Sequence, residues 1–449
     1  MTRFSEALAN SGSVPTLAWS YSQRQHEQWL PAEGLFHRRN KRFRSLFRTA
    51  YGSDFYRTRI DKLGVKPEEI TDEGFLRVFP ILEKDHLRTF SPASFTTQRA
   101  RLLEPIRTTG TTGSPVEVYR SQLDQAHFSA TWLRTNRAFG RRFFDRIVNL
   151  ASGNSYLKRG PVLTLYRLGL VPSQISIAAT EPIERQIDAL IKLQPQVLTG
   201  YSNALELLSE RILALGIQQL RPRVVYGGGV PLTERCRRLV REALGARIFD
   251  SYASIELGSI AWECPEAPGQ LHTNDDVMIL ETVDMCDEPT EPGTPGQLLV
   301  TPLLLRSFPL IRYRLGDVVT LSDDKCSCGR GLGMMKNIDG RTSAIIRSRE
   351  GRTFYEMTIC GIAKSMLQKI KRIQVKQVCP QTLEIRVIRE PLWLKTDELE
   401  LLAKFREKFG TMFDFQFVYP EELEAGSGGK FSVILPLHSI SSGDRTAGH

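Results

Sequence analysis

Between residues 106 and 319, short β-branched runs take turns with longer amphipathic stretches, and this alternation restricts the chain to folds that wrap helices around a largely parallel sheet. Strand patterns fall at 146–150, 197–200, 223–226 and 247–249, with helical periodicity at 184–193, 203–215 and 233–244 between them. The expectation is an α/β fold in which a large multi-layer N-terminal domain carries mostly parallel sheets. Upstream of residue 84 the pattern reads as helices and connections, closed by the proline of Phe79-Pro80-Ile81-Leu82. At 449 residues the chain exceeds what one hydrophobic core supports, so a second domain is expected. The pattern changes after Gly340-Arg341 to strand, helix, two strands, helix, strand, at 344–347, 356–368, 373–378, 383–387, 396–409 and 416–418. That order describes a small α+β domain, dividing the chain into 1–340 and 341–449.

A formal charge of +10 favours anionic partners through long-range steering. The densest basic run, His37-Arg38-Arg39-Asn40-Lys41-Arg42-Phe43-Arg44, is interleaved with Phe36, Phe43, Leu46, Phe47 and Ala50 at helical spacing. It reads as a solvated helix face, which argues against a nucleic-acid partner. The longest apolar stretch, 298–305, is short and broken by Pro302, and the N-terminus carries no basic segment followed by an apolar core. A cytoplasmic protein with no membrane partner is expected.

Seven cysteines without a secretion signal point to thiols or metal ligands rather than a disulfide framework. Cys264 and His272 lie eight apart, and Cys326 and Cys328 follow later in Cys326-Ser327-Cys328-Gly329. Three thiolates and an imidazole form a closed tetrahedral set suited to structural Zn²⁺. Such a site would staple the loop after Glu256 to the segment beyond Asp317.

Several polar segments are spaced along the chain. Thr108-Thr109-Gly110-Thr111-Thr112-Gly113-Ser114-Pro115 can bring amides and hydroxyls together on phosphate oxygens, although no Gly-Lys-Ser/Thr follows as in a Walker loop. Gly227-Gly228-Gly229-Val230-Pro231 follows a strand, at the edge where open α/β sheets bind ligands. Asp250-Ser251-Tyr252-Ala253-Ser254-Ile255-Glu256, Pro309-Leu310-Ile311-Arg312-Tyr313-Arg314-Leu315-Gly316-Asp317, Gly340-Arg341 and finally Gly428-Gly429-Lys430 complete the series. Arg312 and Arg314, two apart in a strand pattern, are expected to share one face opposite Tyr313.

In order and separation these segments resemble the adenylate-forming enzymes, in particular the phenylacetate-CoA ligase branch and its capsule-biosynthesis relatives, from about residue 54 to 435. The resemblance implies ATP- and Mg²⁺-dependent conversion of a carboxylic acid to an acyl-adenylate, followed by transfer to coenzyme A, a carrier protein or an amine. Thr108, Thr109, Gly110, Thr111, Thr112 and Gly113 would hold the pyrophosphate of ATP. Gly228, Gly229, Val230 and Pro231 would line the adenine pocket, with Ser251, Tyr252, Ala253 and Ser254 beside them and Tyr252 stacked on the base. Glu256 would hold Mg²⁺, Asp317 would accept the ribose hydroxyls, and Arg341 would lie near ribose and phosphate. Lys430, carried by a small mobile domain, would approach the α-phosphate and the substrate carboxylate. Tyr201, Tyr226, Gly228 and Tyr252 would line the acid pocket, and their aromatic content favours a flat or aryl acid.

The chain departs from the family's pattern at Val230, where glutamate is usual, and at Ala253 and Ile255, where glycine and a hydroxyl residue are usual. Ser343 and Ala344 stand where acidic hinge residues are common. These departures motivate an alternative, a catalytically reduced member of the fold that binds a nucleotide or a partner.

Overall fold

A computed structural model of the chain describes residues 13–97, 103–107, 116–151, 174–342, 344–366, 368–424 and 432–437. Thr108, Thr109, Gly110, Thr111, Thr112, Gly113, Ser343 and Lys430 lie outside them. Among the described residues, a larger compact unit comprises those up to Leu315 together with Val319–Asn337, and a smaller one comprises Gly316–Val318 and those from Ile338 onward.

The larger unit begins with helices α1 (Ser13–Glu27), α2 (Ala32–Ala50) and α3 (Asp54–Lys62). Helix α2 buries Leu35, Phe43, Leu46, Phe47 and Ala50 along one stripe, where Phe47 meets Phe43 at 4.7 Å and Phe79 at 5.1 Å. Its basic run is more than a solvated face. Arg39 pairs with Glu73 at 2.5 Å, Arg42 with Glu27 at 2.7 Å, and Arg42 also donates to the Asp276 carbonyl at 2.7 Å. Those guanidinium groups tie the helix to its own protein, a use that residue spacing alone could not reveal.

Strands β1 (Glu104–Arg107) and β2 (Glu117–Arg120) form a separate antiparallel ladder before helix α4 (Gln122–Ala138). Ser121 caps α4 by accepting from Asp124 N at 3.2 Å while the Asp124 carboxylate accepts from Ser121 N, a reciprocal box written in the local sequence. Strands β3 (Ile147–Ala151), β4 (Gln174–Ala178), β5 (Val197–Tyr201), β6 (Val224–Gly228) and β7 (Ile248–Ser254) lie in the order β4-β3-β5-β6-β7, every neighbour parallel. Helices α5 (Ile183–Leu193), α6 (Ser202–Ala214) and α7 (Glu234–Leu244) cross between strands and share one apolar core with Val148, Leu150, Leu198, Val225 and Ile248. On the other face, α4 ends in Phe139, whose ring stacks on Phe249 at 4.8 Å.

Beyond β7 the sheet turns antiparallel through β8 (Gly258–Glu263) and β9 (Leu271–Thr273), and takes in β10 (Met278–Val283), β11 (Pro295–Pro302), β12 (Tyr313–Ser322) and β13 (Met334–Arg341). One sheet of eleven strands results, in the order β10-β11-β12-β13-β9-β8-β7-β6-β5-β3-β4. The expectation of mostly parallel sheets therefore holds at one end only.

In the smaller unit a short hairpin, β14 (Ile346–Arg347) and β15 (Thr353–Phe354), precedes α8 (Glu356–Lys364), β16 (Ile370–Cys379), β17 (Thr382–Arg389), α9 (Lys395–Phe409), β18 (Asp414–Val418) and β19 (Ile434–Leu435). The last four strands order as β18-β17-β16-β19 over a core that includes Ile359, Val375, Ile385, Leu401 and Phe405. Strand β19 is only two residues long, too short for a period-2 pattern to announce it. Among the described residues no helix is long and apolar enough to cross a membrane.

A buried ion cluster anchors the N-terminal helices to the sheet. The Asp276 carboxylate accepts from Arg24 at 3.0 Å and from Arg134 at 2.8 and 2.9 Å, and all three side chains are fully buried. Arg134 also donates to Asn274 Oδ1 at 2.5 Å, which Trp262 Nε1 reaches at 3.0 Å. Replacing Asp276 with alanine takes the carboxylate from buried Arg134 and leaves Arg24 only its longer pair with Glu27 at 3.7 Å, and is expected to cost about 3–5 kcal/mol, measured as a fall in urea midpoint. Burial alone would raise the Asp276 carboxyl, but Arg134 and Arg24 outweigh it and hold it below its ordinary value. Its contribution is thus complete above the ordinary carboxylate value and lost as pH falls from there through its own lowered value, so the gap between wild type and Asp276→Ala should shrink in acid.

Candidate functional site

Strands β5 and β6 end together at Tyr201 and Gly228, beside Ser251 of β7, the edge where open sheets of this kind bind ligands. Glycine is required there by contact: a Cβ on Gly228 would sit 2.4 Å from the Ser251 carbonyl oxygen. At Gly229, φ is +75° and a Cβ would meet the Tyr201 ring at 2.7 Å. The turn therefore brings bare backbone against Tyr201 and β7. Val230 and Pro231 continue it, half-buried, towards Thr233, which caps α7 by accepting from Cys236 N at 3.0 Å.

On β7, Tyr252 is buried at the strand end, and a register shift separates it from Ala253. Ser254 Oγ accepts from Leu257 N at 3.1 Å, closing the turn that leads to β8, while Ile255 is 41% exposed. Asp250, between Phe249 and Ser251, is pushed up to about 7 by burial and by the neighbouring Glu263, against the pull of Arg237. Tyr226 sits in the middle of β6 with its ring 5.5 Å from Phe139, deeper in the core than Tyr201 or Gly228.

Glu256 is buried, and its Oε1 accepts from the hydroxyl of Tyr313 at 3.2 Å. Its own carbonyl and that of Ile255 accept from Arg120, whose guanidinium lies 3.8 Å over the Phe128 ring. Burial lowers Arg120 to about 10, so it stays a cation at neutral pH. Nothing near residue 256 signals the role of Arg120, because 136 residues separate the two. Among the described residues the hydrogen-bonding partner of the Glu256 carboxylate is a neutral hydroxyl, and its charge also acts on the Arg120 cation.

Arg312 and Arg314 do not share a strand face. Arg312 precedes β12 in a left-handed conformation, φ +52°, donating to the Phe79 carbonyl at 2.7 Å and pairing with Glu281 at 3.2 Å. Arg314 pairs with Glu83 at 2.8 Å and Asp287 at 2.5 Å. Both arginines hold the segment around residues 79–83 on the sheet.

In the smaller unit, Asp317 and Arg341 form an ion pair, Nε to Oδ1 at 3.4 Å, with the aspartate side chain 12% exposed and the arginine 44%. Gly340 precedes the arginine at φ +131°, next to Glu356.

Cys264, His272, Cys326 and Cys328 converge in the larger unit so that one ligand atom from each lies within 4.8 Å of the others. Cys264 and Cys326 Sγ atoms are 3.6 Å apart, and His272 Nε2 is 3.2 Å from Cys328 Sγ. Burial pushes the Cys264 thiol up to about 12 and, with Arg330 nearby, the His272 imidazole down to about 4. The same Arg330 stacks over Trp29 at 4.5 Å and donates to Gln28 at 3.0 Å, tying this knuckle to the N-terminal helices.

No protein-family model matches the chain. The phenylacetate-coenzyme A ligase of Thermus thermophilus is 26% identical over 442 residues, which cover 91% of this chain and 98% of that protein. Protein CapK of Staphylococcus aureus is 22% identical over 407 residues, 88% of each. The chain matches the phenylacetate-CoA ligase and CapK-like branch. A crystal structure of 2-hydroxyisobutyryl-CoA ligase in the postadenylation state with 2-HIB-AMP superposes with a TM-score of 0.75 at 16% identity, covering 92% of this chain and 91% of that one, a likeness of fold. In this phenylacetate-CoA ligase-like chain the approach of β6 to β7 leaves no room for a methyl group. Gly228→Ala is expected to cost about 1–3 kcal/mol through backbone displacement, read by thermal melting against Gly361→Ala, a position in α8 where nothing lies within 4 Å and φ is not positive.

Proposed function

We propose that the chain uses ATP and Mg²⁺ to activate a carboxylic acid and then transfers the acyl group to coenzyme A. In the first step a carboxylate oxygen bonds to the α-phosphorus of ATP and pyrophosphate leaves. In the second, a thiolate displaces AMP from the acyl carbon. The observation that carries this reading is Glu256, a buried carboxylate at the C-terminal edge of the sheet whose described partner is the Tyr313 hydroxyl. The near full-length similarity to a phenylacetate-coenzyme A ligase supports both the reaction type and the acceptor. A carrier protein or an amine would use the same first step.

Glu256 would hold Mg²⁺, which offsets triphosphate charge. Thr108, Thr109, Gly110, Thr111, Thr112 and Gly113 would cradle the phosphates. Gly228, Gly229, Val230 and Pro231 would flank the adenine with Tyr252, while Ser251, Ala253 and Ser254 border the nucleotide. Asp317 would accept the ribose hydroxyls, supported by Arg341. Lys430 would stabilise charge that grows on the bridging oxygens in the transition state. Tyr201 and Tyr226 would bound the acid, and residues 1–340 and 341–449 would act as the two functional domains.

Ile255 favours a second reading. An exposed aliphatic side chain where the family resemblance expects a hydroxyl suits a protein that binds nucleotide without turnover. Acid-dependent exchange of pyrophosphate into ATP separates the two. Glu256→Gln and Lys430→Ala are each expected to lower exchange by about a hundredfold or more, and indifference to both substitutions would favour the binding protein.

The Cys264, His272, Cys326 and Cys328 set would hold Zn²⁺, because three sulfurs and one imidazole nitrogen already converge within tetrahedral reach. Its place would be structural. About one equivalent of zinc is expected by elemental analysis, lost in a Cys326→Ser, His272→Ala double variant that also melts at lower temperature. A metal-free preparation with unchanged melting would remove this assignment.

A further inference from the structure

The face of the parallel strands covered by α4 changes character along its length. Near the N-terminal ends Ile147, Val197 and Val224 lie in an apolar cluster with Phe139. Two residues further along each strand come Asn149, Thr199 and Tyr226, and Ser176 joins them from β4, so that four polar side chains stand in register on four adjacent strands. The opposite face at this height carries Ile175, Leu150, Leu198 and Val225, all buried. Parallel strands covered on both sides ordinarily read as continuous hydrophobic runs, and a polar row on one side alone must find partners.

Helix α4 does not supply enough of them. It contributes Asn136, which is 6% exposed and whose Oδ1 is buried without a hydrogen-bond partner among the described residues. The Tyr226 hydroxyl hydrogen-bonds the side chains of Thr199 and Asn136, and the charge of half-buried Arg141 acts on the same tyrosine. Asn149 and Ser176 are half-buried, and neither side chain hydrogen-bonds another described residue. At the strand ends, Ser251 Oγ is likewise buried without a described partner.

We infer that the acid taken by this chain carries a hydroxyl or amino group about 7 Å from its carboxyl carbon, two strand residues below the level of Tyr201 and Gly228, and that Asn136, Asn149, Thr199 and Tyr226 recognise it. The inference rests on the adenylation reading above and names the substrate class of that site: hydroxy- or amino-substituted aryl acids rather than the unsubstituted phenylacetate for which the relatives are named. An apolar acid would cover Asn136 Oδ1 and the Asn149 side chain without pairing them, and sites built to bond a substrate hydroxyl discriminate strongly against the analogue that lacks it.

The test compares phenylacetate with 4-hydroxyphenylacetate and 4-aminophenylacetate, in calorimetric binding and in pyrophosphate exchange, for wild type, Thr199→Val and Asn149→Leu. At least one substituted acid should bind the wild type and exchange at least about tenfold better than phenylacetate. Each variant should melt as a folded protein and bring that ratio towards one. Exchange that proceeds with phenylacetate as efficiently as with both substituted acids overturns the polar pocket and leaves adenylation standing. Tighter binding of a substituted acid, erased by Thr199→Val, without exchange by any acid, sustains the pocket and removes adenylation.

Discussion

Asp276 between Arg24 and Arg134 is the interaction on which the larger unit depends. Its oxygens bring together a guanidinium from α1, one from α4 and the loop that joins β9 to β10. From the same cluster Asn274 reaches Trp262 in β8, and Arg42 of α2 donates to the Asp276 carbonyl. Helix α4 is thereby fixed against the sheet, which in turn determines what lies over Tyr226 and Thr199. The cluster also borders His272, so the Cys and His set and the helical start of the chain share one anchor.

At the C-terminal ends of the parallel strands, backbone contact replaces charge. Gly228 lets β6 approach the Ser251 carbonyl, and Gly229 lets the turn fold over Tyr201. Glu256 emerges just past the end of β7, where Arg120 holds its main chain and Tyr313 meets its carboxylate. Rigid strands thus present a buried carboxylate hydrogen-bonded to a neutral hydroxyl and close to the Arg120 charge.

Much of the fold was legible because its signals are local. The apolar periodicity at 197–200 and 223–226 located β5 and β6 to within a residue or two, and the helical stripe at 233–244 located α7 with its threonine cap. The antiparallel half of the sheet was less legible, since its strands pair across turns of varied length that leave no single period. Strand β19 could not be read from two residues. Arg312 was misplaced for another reason: a left-handed residue ends a strand pattern without altering its composition. The basic run of α2 showed its helical face but not its partners, because Glu73 and Asp276 lie far away in sequence.

By itself the sequence determined the alternation of strand and helix, the division into a large α/β part and a small α+β part, and the residue types able to carry chemistry. Those properties follow from side-chain periodicity and turn chemistry within about ten neighbouring positions. Only the tertiary structure decided that four thiol and imidazole ligands converge, that Arg120 supports Glu256, and that Ser176, Asn149, Thr199 and Tyr226 form a polar row on one face. Strand order and register set those meetings. They are properties of hydrogen bonding between segments tens of residues apart, which no local pattern encodes.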